Sequence, residues 1–286
     1  MDERELKKLV REIVGNEHTL DDCAVLACGA DLVVATTDML HEETDFPAGM
    51  TDWQRGWMSA AVTLSDIAAM GARPAIVLLA VGLDLSGRLR EILEGARACC
   101  ERCGAILAGG DLDSHRELTM VSSGVGFADR VVRRSGAEPG DLIGITNILG
   151  RAQAALDGYR QYEKFLFEPV PRSEEGQNLK QAGVTAMMDI SDGLVASLYD
   201  MLDANECGFS IESSRLPRIG GVSPAASREY SLFGGGDFEL LFTTPPETLP
   251  LPGLDVVVIG RVIEEHTILV DGEVAPDRGY RHQWRV

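Results

Sequence analysis

Positive charge is scarce in this chain of 286 residues: 26 Lys and Arg stand against 45 Asp and Glu, a net charge of −19. A nucleic-acid backbone needs a positive footprint, so DNA and RNA are excluded as partners. Long apolar runs are missing too. No stretch approaches the ~18 uninterrupted apolar residues of a membrane helix, and no membrane partner is expected. The opening MDERELKKLVREIVG reads as a charged amphipathic helix rather than a signal peptide, which makes a cytoplasmic protein the expectation. Cysteines are few, at 23, 28, 99, 100, 103 and 207, and only Cys100 and Cys103 have C-x-x-C spacing. A zinc site needs two more ligands at suitable spacing and none is evident, so reduced, mostly buried thiols are expected. There is no G-x-x-x-x-G-K-S/T loop, which excludes a P-loop enzyme.

What the chain does have is carboxylate, in short stretches at the ends of apolar runs or helical patterns: Thr36-Thr37-Asp38, Leu64-Ser65-Asp66, Gly109-Gly110-Asp111 and Asp189-Ile190-Ser191-Asp192. Carboxylates gathered at element ends, beside small residues and hydroxyls, suit a group of hard divalent cations. Mg²⁺ takes oxygen ligands in a near-octahedral shell and shares them with substrate phosphates. The motifs therefore point to an enzyme handling a nucleotide triphosphate through several Mg²⁺ ions, which also reconciles ATP with a strongly acidic chain. Most of the acids remain an ordinary solvated surface.

The length suits two domains. Cys23–Cys28 and Asp31–Thr37 read as strands, and Thr51 or Asp52 caps a helix running to Met70, stopped by Gly71 and Pro74. That helix carries an apolar stripe at Trp53, Trp57, Ala60, Leu64 and Ile67, and Asp66 falls off it, near Ser59. Pro74–Leu83, Ala105–Ala108 and Glu117–Ala128 read as strands, and Ser86–Cys103 as a helix. Arg134–Asp141, rich in Gly and Pro, marks a break, giving domains at 1–135 and 136–286. The second half reads as a strand Leu142–Thr146, a helix from about Gly150, a Pro-rich joint at Glu168–Arg172, a helix to Ala182, a strand Thr185–Met188, a helix Asp192–Asn205, and strands Phe238–Thr243 and Asp255–Ile263. Strands and helices mix in both halves, so the fold class is α/β or α+β.

Met188–Leu194 is the most specific piece. Asp189 and Ser191, two apart at a strand end, point to one side. Asp192 opens a helix where free amides favour a carboxylate. An ordinary helix cap explains Ser191 and Asp192 equally well, but not Asp189. Gly109-Gly110-Asp111 ends a strand with glycines that let a phosphate approach, and it also reads as a plain turn. Asp21 and Asp22 repel each other unless a cation or water intervenes. Gly234-Gly235-Gly236-Asp237 could cradle phosphate, and Arg134 reads either as a phosphate clamp or as a solvated surface cation.

Together these pieces resemble the thiamine-monophosphate kinases of the AIR synthetase-like superfamily. The matching stretches are LDDCAVL (20–26), TTDML (36–40), VTLSDIAAMGARP (62–74), AGGD (108–111), RRSGAEPGDLI (133–143), EPVPR (168–172), MMDISDGL (187–194), GGGDFELLFT (234–243) and Gly279-Tyr280, Arg281, His282. They cover nearly the whole chain in order. The resemblance implies a two-domain α/β subunit in a homodimer, its N-terminal domains pairing strands into a shared barrel. It implies ATP and thiamine monophosphate as substrates, and direct transfer of the γ-phosphoryl group without a phosphoenzyme. By position it assigns Asp22, Thr36, Thr37, Asp38, Asp66, Asp111, Asp189 and Asp192 to Mg²⁺. Gly110, Asp111, Arg134 and Ser191 go to ATP, and Asp45 and Tyr280 to the acceptor. No general base is needed for an acceptor phosphate that is already ionised.

The sequence departs from that pattern in three places. Glu17-His18-Thr19-Leu20 replaces the glycine-rich lead-in to the paired aspartates, and Gly150-Arg151-Ala152-Gln153 replaces the usual Gly-Asp-Ser-Ala. Gly236 replaces the acid that touches the acceptor, leaving Asp237 and Glu239 as the carboxylates available for that role. The rivals are a related enzyme with another small acceptor and, in a different class, a non-catalytic Mg-nucleotide scaffold. AIR synthetase would carry a different glycine-rich N-terminal pattern. Selenophosphate synthetase needs a reactive Cys near the start followed by a Lys-rich segment, a setting Cys23 lacks. The hydrogenase-maturation relatives end in a reactive cysteine, whereas this chain ends Gln283-Trp284-Arg285-Val286.

Overall fold

A computed structural model describes residues 3–251 and 253–282; the ending Gln283–Val286 lies outside the described residues. Two helices come first, α1 (Glu3–Val14) and α2 (Asn16–Thr19). The first sheet is built from β1 (Ala24–Cys28), β2 (Asp31–His41), β3 (Arg73–Leu83), β4 (Ile106–Gly109), β5 (Leu112–Ser114) and β6 (Thr119–Ala128). Its order is β1-β2-β6-β3-β4, with β5 also pairing β3. One face is covered by α3 (Asp52–Ala69) and α4 (Leu89–Arg102).

The start of α3 follows from its sequence. Thr51 accepts a hydrogen bond from the Gln54 amide while the Gln54 side chain returns one to the Thr51 amide, a reciprocal cap. The expected single apolar stripe is an incomplete account, because every residue from Gly56 to Ala69 except Asp66 is buried. The helix runs inside the protein, with α4 on one flank and the sheet on another. Glycines permit the first contact: a Cβ on Gly56 would sit 1.9 Å from the Ile92 carbonyl, and one on Gly95 1.8 Å from that of Trp53. Leu64 and Ile67 are fully buried, each burial contributing about 1.5–3 kcal/mol.

The opposite face of this sheet carries exposed apolar side chains among the described residues. Cross-strand register puts Leu26, Met39, Leu78, Ile106 and Phe127 on it, and all five are exposed.

The second sheet comprises β7 (Leu142–Thr146), β8 (Ala186–Ile190), β9 (Gly208–Ile211), β10 (Glu239–Thr244), β11 (Val256–Ile263), β12 (Ile268–Val270) and β13 (Glu273–Val274). Its order is β13-β12-β9-β11-β7-β10-β8. Around it lie α5 (Arg151–Leu156), α6 (Glu163–Phe167), α7 (Ser173–Ala182), α8 (Leu194–Ala204) and α9 (Pro224–Phe233). A third apolar cluster joins the halves: Ala69 and Val132 pack with Leu179, Met187, Leu240 and Phe242. The Pro-rich joint docks on α3, where the Trp57 indole donates to the Pro169 carbonyl at 2.7 Å and Gln54 to Glu168 at 3.0 Å. All six cysteines are free thiols, and Cys23, Cys99, Cys100 and Cys207 are buried.

Two elements differ from the sequence expectation in ways that move the site. β2 runs on to His41, so Thr36, Thr37 and Asp38 sit inside a strand rather than at its end. α8 begins at Leu194 with Gly193 at its cap and no side-chain cap bond. Neither Ser191 nor Asp192 is used as a cap.

Candidate active site

The strand β2 alternates, and its even positions face α3. There Thr36 donates to Asp66 at 2.6 Å, and Thr63 of α3 donates to Asp38 at 2.6 Å. One residue before Asp66, Ser65 donates across to Asp189 at the end of β8, at 2.7 Å. A single stretch of α3 therefore reaches acids of both sheets. The segment between α2 and β1 completes the group. Oxygens of Asp22, Asp66 and Asp189 lie within 4.8 Å of one another.

Three carboxylates this close and this enclosed resist ionisation. Burial pushes Asp189 up to about 8, with Asp22 adding to it. Asp66 keeps some accessible surface, yet the surrounding protein, and then Asp38, Asp189 and Asp22, hold it well above the usual carboxylate range. Asp22 is also raised by burial, against the pull of Arg134, whose Nε donates to its Oδ1 at 3.2 Å. Burial works to lower the Arg134 pKa, but Asp22, Asp200 and Asp189 outweigh it and hold the guanidinium charged. The Asp22 side chain is fully enclosed, and its second oxygen, Oδ2, has no hydrogen-bond partner among the described residues. A buried carboxylate oxygen left unsatisfied is costly. On a side chain grouped with Asp66 and Asp189, it fits a hard divalent cation.

Two cavities meet at the Ser191–Asp192 corner. The larger, about 540 Å³, is walled by Phe46, Met58, Leu166, Phe233, Phe238 and Tyr280 and reaches Asp38, Asp66 and Asp189. The smaller, about 370 Å³, lies on the Arg134 side and is bounded by α1. Tyr280 is held by its amide to the Asp192 carbonyl at 2.9 Å, and its ring meets His282 edge-on at 5.2 Å.

The structure thus brings together Asp22, Thr36, Asp38, Asp66, Asp189, Ser191, Asp192 and Arg134, with Tyr280 at the apolar end. Asp45 lines the larger cavity, its carboxylate taken up by the His41 amide at 2.7 Å and the Thr44 hydroxyl at 2.8 Å. Three sequence candidates lie elsewhere. Thr37 sits on the opposite face of β2, bonded to Ser123 at 3.0 Å. Gly110 and Asp111 are exposed three strands from Asp38, about 14 Å at ordinary strand spacing.

Asp237 also sits apart from this group. Its buried carboxylate accepts the Gly150 and Ala152 amides, the latter at 3.1 Å, and stands outside the residues lining the larger cavity. Glu239 is likewise held by Arg172 at 2.6 Å, Arg151 at 3.1 Å and Thr146 at 2.7 Å. Both acids are bound to the departing Gly150–Gln153 segment, Asp237 through the Gly150 and Ala152 amides and Glu239 through Arg151. The roles of Thr63 and Ser65 escaped the sequence reading. Two hydroxyls two apart in an otherwise apolar helix were the available signal.

Residues 20–128 match the family model described as AIR synthase related protein, N-terminal domain. The thiamine-monophosphate kinase of Methanospirillum hungatei is 50% identical over 286 residues, spanning 99% of this chain and 100% of the relative. That of Halobacterium salinarum is 38% identical over 296 residues, spanning 99% and 100%. A solved structure described as AaThiL complexed with AMPPCP and TMP superposes with a TM-score of 0.92 at 28% identity, covering 99% of this chain and 97% of that one. By sequence along its whole length and by fold, the chain belongs to the thiamine-monophosphate kinase family.

Proposed function

We propose that this protein transfers the γ-phosphoryl group of ATP directly to the phosphate of thiamine monophosphate, forming thiamine diphosphate. The observation that carries the reading is the convergence of Asp22, Asp66 and Asp189, with one Asp22 oxygen unsatisfied, beside the larger cavity that Asp66 and Asp189 line. The whole-length kinase relatives and the AMPPCP and TMP complex support it.

Asp22, Asp66 and Asp189, with Asp38 and Asp192 beside them, would hold Mg²⁺ ions. When bound, such ions neutralise charge on the phosphates. The protein's own part is positioning and exclusion of water. The larger cavity is apolar around Phe46, Phe233 and Phe238 and suits a heteroaromatic body, with Tyr280 able to stack on it. Arg134 and Ser191 face the smaller cavity, which suits the nucleotide. The acceptor phosphate then attacks near the Ser191–Asp192 corner, already ionised and needing no base.

We assign residues 1–135 to an ATP- and Mg-binding domain and 136–286 to the domain that completes the cleft. The exposed apolar face of the first sheet supports pairing with a second copy into a closed barrel. Thr37, Gly110 and Asp111 lie on or at the edge of the face such pairing would cover. Their assignment to metal or nucleotide rests on that pairing. ADP release with thiamine monophosphate, thiamine and a panel of small phosphorylated and carbonyl acceptors tests the reading. Magnesium-dependent ADP release with a thiamine diphosphate product is expected. Turnover confined to another acceptor would overturn it.

A further inference from the structure

The smaller cavity has an unusual charge for a chain of −19. Among its lining residues are Lys7, Arg11 and Arg134, against Asp192 and Asp200. A single carboxylate oxygen organises two of the cations: Asp200 Oδ2 is 3.4 Å from the Lys7 ammonium and 3.7 Å from the Arg134 guanidinium. Its other oxygen is 3.7 Å from Arg4. Arg11 pairs with Asp203 at 3.1 Å, one α8 turn further on.

The seating of α1 is equally informative. It rests on the second half of the protein by its charged edge, through Arg4–Asp277 at 2.6 Å, Lys7–Asp200 and Arg11–Asp203. Of its apolar residues, Leu9, Val10, Ile13 and Val14 are exposed and Leu6 is half-buried against the cavity. Among the described residues, none of its side chains belongs to the three apolar clusters. A helix held by ion pairs at a wet surface is held weakly and is loosened by salt.

We propose that Lys7 and Arg11 are nucleotide-binding residues, and that α1 is a movable wall which closes on the nucleotide phosphates. The inference rests on the nucleotide reading of this cavity. Metal ions offset phosphate charge on the side facing Asp22, Asp66 and Asp189. Oxygens turned the other way need cations from the protein, and Arg134 is already committed to Asp22. Lys7 and Arg11 are the cations that α1 brings to that side. A phosphate then competes with Asp200 for Lys7, exchanging one oxyanion for another. Asp200 acts as a positioning residue, keeping the ammonium in the cavity while no nucleotide is bound.

Calorimetric titration with Mg–AMPPCP tests this in the whole protein, comparing wild type, the double variant Lys7→Gln with Arg11→Gln, Lys7→Arg, and Lys8→Gln. Lys8 is exposed and outside the cavity, so it controls for net charge. The double variant should bind about tenfold more weakly, Lys7→Arg close to wild type, and Lys8→Gln within about twofold. The Kd for thiamine monophosphate should not move. Equal affinity in the double variant, or an equal loss in Lys8→Gln, would overturn the role of α1 and leave the nucleotide reading intact. Failure of the wild type to bind Mg–AMPPCP would overturn that reading, and this role with it.

Discussion

Asp66 and Asp189 are held near Asp22 by hydroxyls, Thr36 and Ser65, rather than by cations. Burial and their acidic neighbours raise both pKa values, so keeping them ionised for a metal costs the fold stability. Asp66→Asn and Asp189→Asn should each reduce ATP turnover at least about a hundredfold, while the melting temperature in metal-free buffer stays level or rises. Full activity in either variant would remove the shared-cluster account. Asp237 gives a second test, through pH. Burial pushes it from 3.8 up to about 7, against the Gly150 and Ala152 amides. The native state holds this proton more tightly than the unfolded chain does. Stability from this residue is therefore greatest below pH ~4 and is lost as pH rises through ~7. The loss amounts to a few kcal/mol at most, on the order of 1.4 kcal/mol per pH unit. Urea melts across pH 4 to about 8 should show Asp237→Asn lacking that component of the wild-type decline.

At the scale of elements, the loop at Gly234–Gly236 shows how an absence in sequence becomes a constraint in space. Gly236 has φ +88°, and a Cβ there would meet Ala152 at 3.2 Å. The family's missing acid therefore cannot simply be restored. Gly236→Glu should lower the melting temperature and weaken binding of thiamine monophosphate; calorimetry showing tighter binding would refute this. The short motifs were legible because their chemistry is local: Asp189, Ser191 and Asp192 span one corner, and Thr51 opens one helix. The positions of Asp111 and Thr37 were not, because sheet order and strand facing decide them, and neither is written in the residues nearby. The surroundings of Asp237 were hidden for a related reason. A carboxylate beside glycines reads as exposed until the Gly150 and Ala152 amides are found pointing at it.

For the molecule as a whole, the exposed apolar sheet face is the largest unresolved demand. Exposed apolar patches of this kind mark an interface, and Leu78 and Phe127 lie in its strands. Leu78→Glu with Phe127→Glu should convert a dimer to a monomer in light scattering, without unfolding the subunit. A wild type that is already monomeric at micromolar concentration would contradict the pairing. Activity should be lost together with the dimer if Asp111 acts across the pair.

One consequence follows for how this chain can vary in length. Thr63, Ser65 and Asp66 address Asp38, Asp189 and Thr36 from one helix whose register is fixed at Thr51. Each residue added or removed between that cap and Thr63 turns all three by about 100°, so no conservative repacking could restore them. Insertions and deletions in the gene should therefore be absent from this stretch however freely its residues are exchanged. They should collect instead in exposed turns such as 264–266, which line neither cavity of the site.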